Sequence, residues 1–300
     1  MKRRAAAASV IGAFLMVTGC ASPAPTGSPS LSIVTASYPL QFLAERIAGG
    51  RATVVNLTAP GAEPHDLELT AQQLTQLAQA DLVVYQKGFQ PAVDEAITAV
   101  GPHATVDVTA GITLQPGPVA DGSTASPSID PHIWLDPNLM VTMAHTVSAA
   151  LIKVTPADEQ TITASTNELV GRLTTLDGAF RTGLASCSRR EFVTSHEAFG
   201  YLASAYELTQ IPIAGLDPTT EPTAARIKEV QDLVRRYRVT TIFYETLVSD
   251  AVARTIATDL GLKTDVLDPL EGITDASRGD DYLEVMEANL TALRTANECK

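Results

Sequence analysis

Two spacings of apolar residues alternate along this chain. Short, nearly continuous apolar blocks fall at 32–36, 52–57, 82–85 and 105–108, and between them apolar positions return every three or four residues at 38–48, 71–79 and 89–100. The blocks read as buried strands and the periodic stretches as amphipathic helices. Gly49-Gly50 closes the first helix, and Thr70 with Gln73 three residues later has the form of a capping box. Strands and helices in strict alternation predict a parallel sheet covered on both faces.

The second half repeats the pattern, with strands expected at 191–194, 211–214, 241–244 and 264–267 and helices at 198–206, 223–236, 250–260 and 280–296. Between the halves lies a helix at 139–152. Thr155-Pro156 then reads as an N-cap followed by a first-turn proline. Ile162, Leu169, Leu173, Leu176, Phe180 and Leu184 keep helical spacing for about seven turns, roughly 38 Å at 1.5 Å per residue. The predicted fold class is therefore α/β, with two lobes, each a parallel β-sheet flanked by helices, joined by one long rigid linking helix. The lobes are expected at 32–153 and 187–300, with the linking helix at 154–186.

Composition adds a compartment. The chain of 300 residues is 45% hydrophobic and 18% charged, enough apolar matter for buried cores and too little charge for disorder. Lys2, Arg3 and Arg4 open it, an apolar run fills 5–17, and Val17-Thr18-Gly19 precede Cys20. Residues 1–19 read as a secretory signal, too short to span a bilayer permanently. Val-Thr-Gly-Cys resembles a bacterial lipobox, which would lipidate Cys20; an ordinary cleaved signal is the competing reading. Residues 21–30, Ala-Ser-Pro-Ala-Pro-Thr-Gly-Ser-Pro-Ser, favour the lipid anchor, because they form a tether without core-forming residues. The tether is placed at 20–31, and the protein outside the cytoplasm, held to the membrane by its lipid alone.

Charge removes some partners. Without Lys2, Arg3 and Arg4, 18 basic residues face 34 acidic ones, a net of −16. Such a surface repels nucleic acid and anionic lipid and tolerates cations. With Cys20 acylated, Cys187 and Cys299 remain, and an exported chain with one leftover pair most simply forms a disulfide. A two-cysteine metal site is less consistent with the sequence, since neither residue has a CxxC or Cys/His neighbourhood.

Three histidines sit in stiff, punctuated settings. His132 lies in Asp130-Pro131-His132-Ile133-Trp134-Leu135-Asp136-Pro137, between two prolines and beside the only tryptophan. His65 lies in Gly61-Ala62-Glu63-Pro64-His65-Asp66, and His196 in Ser195-His196-Glu197-Ala198-Phe199-Gly200-Tyr201. Each follows an expected strand, as does Asp268, and the carboxyl ends of parallel strands are where open α/β sheets place ligands. If the two sheet edges face each other, His65, His132, His196 and Asp268 meet in the cleft as an N/O set suited to Zn2+. No local motif such as HExxH supports this, and the plainer reading keeps each histidine as a hydrogen-bonded loop residue. Glu63 and Asp66 flank His65, and Glu245 ends a strand by the cleft. All three are candidates to orient a ligand from behind, or else solvated loop charges and a helix cap. His103 and His145 read as surface residues, and residues 110–130, rich in Gly, Pro, Ser and Asp, as a long surface loop.

At these motifs the chain resembles the extracytoplasmic metal receptors of bacterial ABC importers, the zinc/manganese cluster of solute-binding proteins. Pro64-His65-Asp66 with Ala80-Asp81-Leu82-Val83-Val84, the segment from Asp130 to Pro137, Ser195 to Tyr201, and Leu267-Asp268-Pro269-Leu270 carry the likeness, which runs from about Ile33 to the C-terminus. The resemblance implies a monomeric receptor that delivers a divalent metal to an ABC permease. It also implies zinc over Mn2+, because zinc receptors tend to have histidine where His196 stands and manganese receptors glutamate. Many zinc receptors carry a His-rich loop before the second ligand, yet 110–130 contains no histidine. Two other classes remain: a zinc hydrolase, which needs an open coordination position and a base such as Glu245, and a metal-binding adhesin. Four protein ligands would favour the carrier over the enzyme.

Overall fold

The computed structural model describes residues 31–117 and 128–300. The expected signal, Cys20 and tether residues 20–30 lie outside the described residues, while Leu31, assigned above to the tether, is the first residue of a strand.

The first lobe is built from β1 (Leu31–Thr35), α1 (Tyr38–Ala48), β2 (Ala52–Asn56), α2 (Ala71–Gln79), β3 (Leu82–Tyr85), α3 (Pro91–Val100) and β4 (Thr105–Asp107). Its four strands are parallel, in the order β2-β1-β3-β4. The capping box at the start of α2 is formed as expected, with both Thr70–Gln73 bonds present. A single 3₁₀ turn, Ile133–Leu135, leads into α4 (Pro137–Val154). This helix starts earlier than its apolar spacing predicts, because the Asp136 side chain accepts the Asn138 N–H and Pro137 occupies the first turn.

The long helix is α5 (Glu159–Leu184), 26 residues or about 39 Å. It starts later than the expected span of 154–186, since Pro156–Asp158 winds as a separate 3₁₀ turn. Ile162, Leu169, Leu173, Leu176, Phe180 and Leu184 line its buried face, which packs on α1 and α4.

The second lobe comprises β5 (Glu191–Thr194), α6 (Gly200–Ala205), β6 (Thr209–Pro212), α7 (Ala224–Tyr237), β7 (Thr241–Tyr244), α8 (Ala251–Leu260), β8 (Lys263–Val266) and α9 (Tyr282–Asn297), the last also packed on α5. Its sheet is again parallel, in the order β6-β5-β7-β8. Strand β6 ends at Pro212, which an edge strand tolerates because one side needs no N–H donor. Helix α6 begins two residues later than expected: the Glu197 N–H bonds Gly215 O (3.0 Å), holding the chain after His196 out of helical form.

Alternation along the strands sends residues to two cores. Phe192 and Phe243 join the large cluster that also contains Ile33, Val83, Leu173 and Leu293, so one apolar core passes through both lobes and α5. Val193 and Ile242 face the other way, onto Val230, Val234 and Ile256 of α7 and α8. Cys187 and Cys299 form the expected disulfide, tying the chain just before β5 to the chain just after α9.

Candidate metal centre

Loops at the carboxyl ends of both sheets supply the site. His65 comes from the connection after β2, His132 from the segment after β4, and His196 from the loop after β5. A fourth side chain, Glu271, comes from the loop after β8. One ligand atom from each lies within 4.8 Å of the others. The Glu271 carboxylate is the hub: its Oε1 is 3.2 Å from His65 Nε2, 3.1 Å from His132 Nε2 and 3.3 Å from His196 Nε2. His132, His196 and Glu271 are fully buried, and His65 is slightly exposed.

Each imidazole is aimed by a second contact. His132 Nδ1 is 2.7 Å from Asp130 Oδ1, which also accepts the His132 N–H. His196 Nδ1 is 2.7 Å from Glu245 Oε1, which accepts the Ser195 hydroxyl as well. With Nδ1 donating to a carboxylate, Nε2 is the nitrogen that gives up its proton and turns its lone pair to a cation at the centre of the group. His65 is fixed through its backbone, whose N–H donates to Glu63 Oε1 (2.8 Å), and its ring stands edge-on to Phe89.

The electrostatics match a site that exchanges protons for a cation. Burial opposes ionisation of Glu271, but the charge of His196 beside it and hydrogen bonds from His132 and His65 hold its carboxyl well below the usual range. Burial likewise opposes protonation of His196, yet Glu245 and Glu271 raise its pKa well above the ordinary imidazole value. His132 is raised more modestly, its burial outweighed by bonds to Asp130 and Glu271. Glu63 is pushed up to about 7 by burial and then by the Glu271 carboxylate.

The donor types suit zinc, and the three edges that meet at the carboxylate match a tetrahedral site. With zinc–nitrogen bonds of about 2.0–2.1 Å, such a tetrahedron has edges of about 3.3 Å. The three nitrogen–oxygen separations of 3.1, 3.2 and 3.3 Å lie close to that edge. Among the described residues, Glu271 Oε2 and His196 Nε2 are buried without a hydrogen-bond partner, since the 3.3 Å approach of His196 to Glu271 lacks hydrogen-bond geometry.

One expected ligand stands apart from this group. Asp268 is buried beside the group but is not a member of it. Its Oδ1 accepts the Leu270 N–H (2.8 Å), and its Oδ2 accepts the hydroxyls of Thr246 (3.2 Å) and Ser277 (3.0 Å). A short aspartate side chain bonds its own backbone two residues on, which removes Asp268 and leaves the longer Glu271 to reach the histidines. That local preference was the available sequence signal. Leu270 stands between them with φ 58°, a left-handed conformation that costs a side-chain-bearing residue about 1–2 kcal/mol. Of the candidate orienting residues, Glu245 and Glu63 contact the histidines, whereas Asp66 is exposed and is not among them. His103 and His145 are exposed, as expected.

Fold and site together define a two-lobed α/β protein with a closed three-histidine, one-carboxylate centre at the facing edges of its sheets. The chain belongs to the family described as zinc-uptake complex component A, periplasmic (ZnuA), whose model matches residues 33–296. It is 32% identical to the high-affinity zinc uptake system protein ZnuA of Bacillus subtilis (strain 168), covering 95% of each chain. It is also 32% identical to the zinc-binding lipoprotein AdcA of Streptococcus pneumoniae, across 89% of this chain and 56% of that protein. The crystal structure of the Zn(II)-bound ZnuA-like domain of that AdcA superposes with a TM-score of 0.77 at 32% identity, over 90% of this chain and 99% of that one.

Proposed function

We propose that this protein captures zinc outside the cytoplasm through His65, His132, His196 and Glu271 and delivers it to the permease of an ABC importer. The carrying observation is the convergence of three Nε2 atoms on one carboxylate oxygen at 3.1–3.3 Å. Relatives named for zinc uptake and zinc binding support the cargo. Four protein donors fill a tetrahedral shell, which suits a carrier and leaves no position for the water a zinc hydrolase activates. Glu245, the base such an enzyme would use, is committed to His196 and Ser195. The protein acts as a monomer, tethered through a lipid on Cys20. Replacement of Cys20 by Ser should release it from the membrane fraction, and an unchanged distribution would reject the anchor.

Imidazole donors favour zinc, and manganese is the weakest binder among the usual divalent ions. Chelator-stripped protein titrated competitively with zinc and manganese tests the proposal. One zinc per chain, held more tightly than manganese, is expected, and His196→Glu should narrow the ratio. Failure to bind zinc, or a preference for manganese, would overturn it.

A further inference from the structure

We infer that Asp268 is a positioning residue: it sets the turn that delivers Glu271 to the three histidines and couples that turn to the loop carrying Glu245. The inference rests on Glu271 being the fourth zinc ligand.

Four backbone groups of the turn Asp268-Pro269-Leu270 are held by side chains. The Asp268 N–H donates to Asn289 Oδ1 (2.9 Å), and Asn289 Nδ2 donates back to Asp268 O (2.7 Å). Pro269 O accepts the Trp134 indole N–H (2.7 Å), a contact reaching from the segment of His132. The Leu270 N–H is held by Asp268 Oδ1 itself. Leu270 is fully buried and left-handed, a combination that persists only where its surroundings over-determine it. Without the Asp268 carboxylate, the buried Leu270 N–H has no acceptor, and the backbone is free to relax toward ordinary φ, carrying Glu271 away from the histidines.

The other oxygen of Asp268 links outward. Oδ2 accepts from Thr246, the residue next to Glu245, and from Ser277 in the connection to α9. A single buried carboxylate thus ties together the loop of Glu271, the loop that aims His196, and the approach to the last helix. Such supporting contacts typically change metal affinity 10–100-fold when lost.

The test compares Asp268→Ala, Asp268→Asn, Glu271→Gln and Glu271→Ala in the full-length protein, by zinc titration and by the visible absorption of the cobalt(II)-loaded site. Asp268→Ala should weaken zinc by about 10–100-fold and alter the cobalt spectrum. Asp268→Asn should recover most of that loss, because its amide oxygen still accepts the Leu270 N–H and the hydroxyls of Thr246 and Ser277 can turn to accept. Both Glu271 variants should lose more. Should Asp268→Ala fail to fold, Thr246→Val with Ser277→Ala removes the outer contacts instead, and a changed cobalt spectrum is again expected. If Asp268→Asn loses as much as Glu271→Gln, Asp268 is a ligand and the inference is wrong. Wild-type zinc affinity in Asp268→Ala beside a crippled Glu271→Ala would overturn the positioning role alone. Unchanged affinity in Glu271→Ala would overturn the four-donor site itself, and this inference with it.

Discussion

The two lobes offer similar donors but brace them in different ways. In the first lobe, His132 leans on Asp130 and His65 on Glu63, each two residues upstream in its own loop. In the second, His196 leans on Glu245, 49 residues away and just past the end of the neighbouring strand. Glu271 depends on a turn held by Asn289 of α9 and by Trp134 of the other lobe. The two histidine–carboxylate contacts have the same length, 2.7 Å. What differs is how much of the fold must be in place before they exist. Local bracing is a property of a segment; long-range bracing is a property of a finished lobe.

The disulfide gives the largest expected break in that comparison, since it closes a span of 112 residues around the second lobe. Replacing Cys187 and Cys299 by Ser should cost roughly 2–5 kcal/mol in chemical denaturation. An unchanged midpoint would mean that the long-range contacts hold without their covalent tie. Next come the carboxylates behind the histidines. Glu245→Ala and Asp130→Ala should each weaken zinc by about 10–100-fold. Glu245 should cost more, because His132 keeps its two flanking prolines and the Trp134 ring. Equal losses in titration would dissolve the distinction.

Protons sharpen the comparison further. Because the pKa values of His196 and His132 are raised in the metal-free protein, zinc must displace protons, and affinity should fall as pH falls through and above the ordinary imidazole value of 6.5. Calorimetry at pH 7 in buffers of different ionisation enthalpy should show proton release, and a buffer-independent enthalpy would contradict this. For metal-free stability the sign runs two ways. The histidine contribution is full below 6.5 and is lost as pH rises through the raised folded values. The Glu271 contribution is full above 4.5 and is lost as pH falls through its depressed folded value. The metal-free protein should therefore be most stable between about 4.5 and 6.5, where zinc binding is already weakening. The smallest effect belongs to a purely local device of the first lobe. Thr70→Ala removes the capping box of α2 and should cost about 1 kcal/mol without altering zinc affinity.

The same contrast explains what could be read in advance. Strands, helices and the capping box at Thr70 were legible because their causes lie within a few residues. His65, His132 and His196 were legible because proline, glycine and tryptophan punctuate their loops. Boundaries slipped where a distant bond decided them, as when Gly215 O holds Glu197 and delays α6. Glu271 was missed for a related reason. The Asp268 side chain's bond to the Leu270 N–H was a local hint, but choosing between two acids three residues apart also required the contacts of Asn289 and Trp134 with that turn, both distant in sequence. Glu245 was legible as a candidate from its place at a strand end, but its partner was not.

The wide spacing of the donors also imposes a chronology. His65 and Glu271 are 206 residues apart, and the turn of Glu271 is pinned by Asn289 on the final helix. A chain emerging N-terminus first carries its histidines long before it possesses a complete zinc site. Only when α9 docks does the last ligand arrive. A polypeptide threaded unfolded across a membrane would therefore travel empty, and its first zinc would come from the far side.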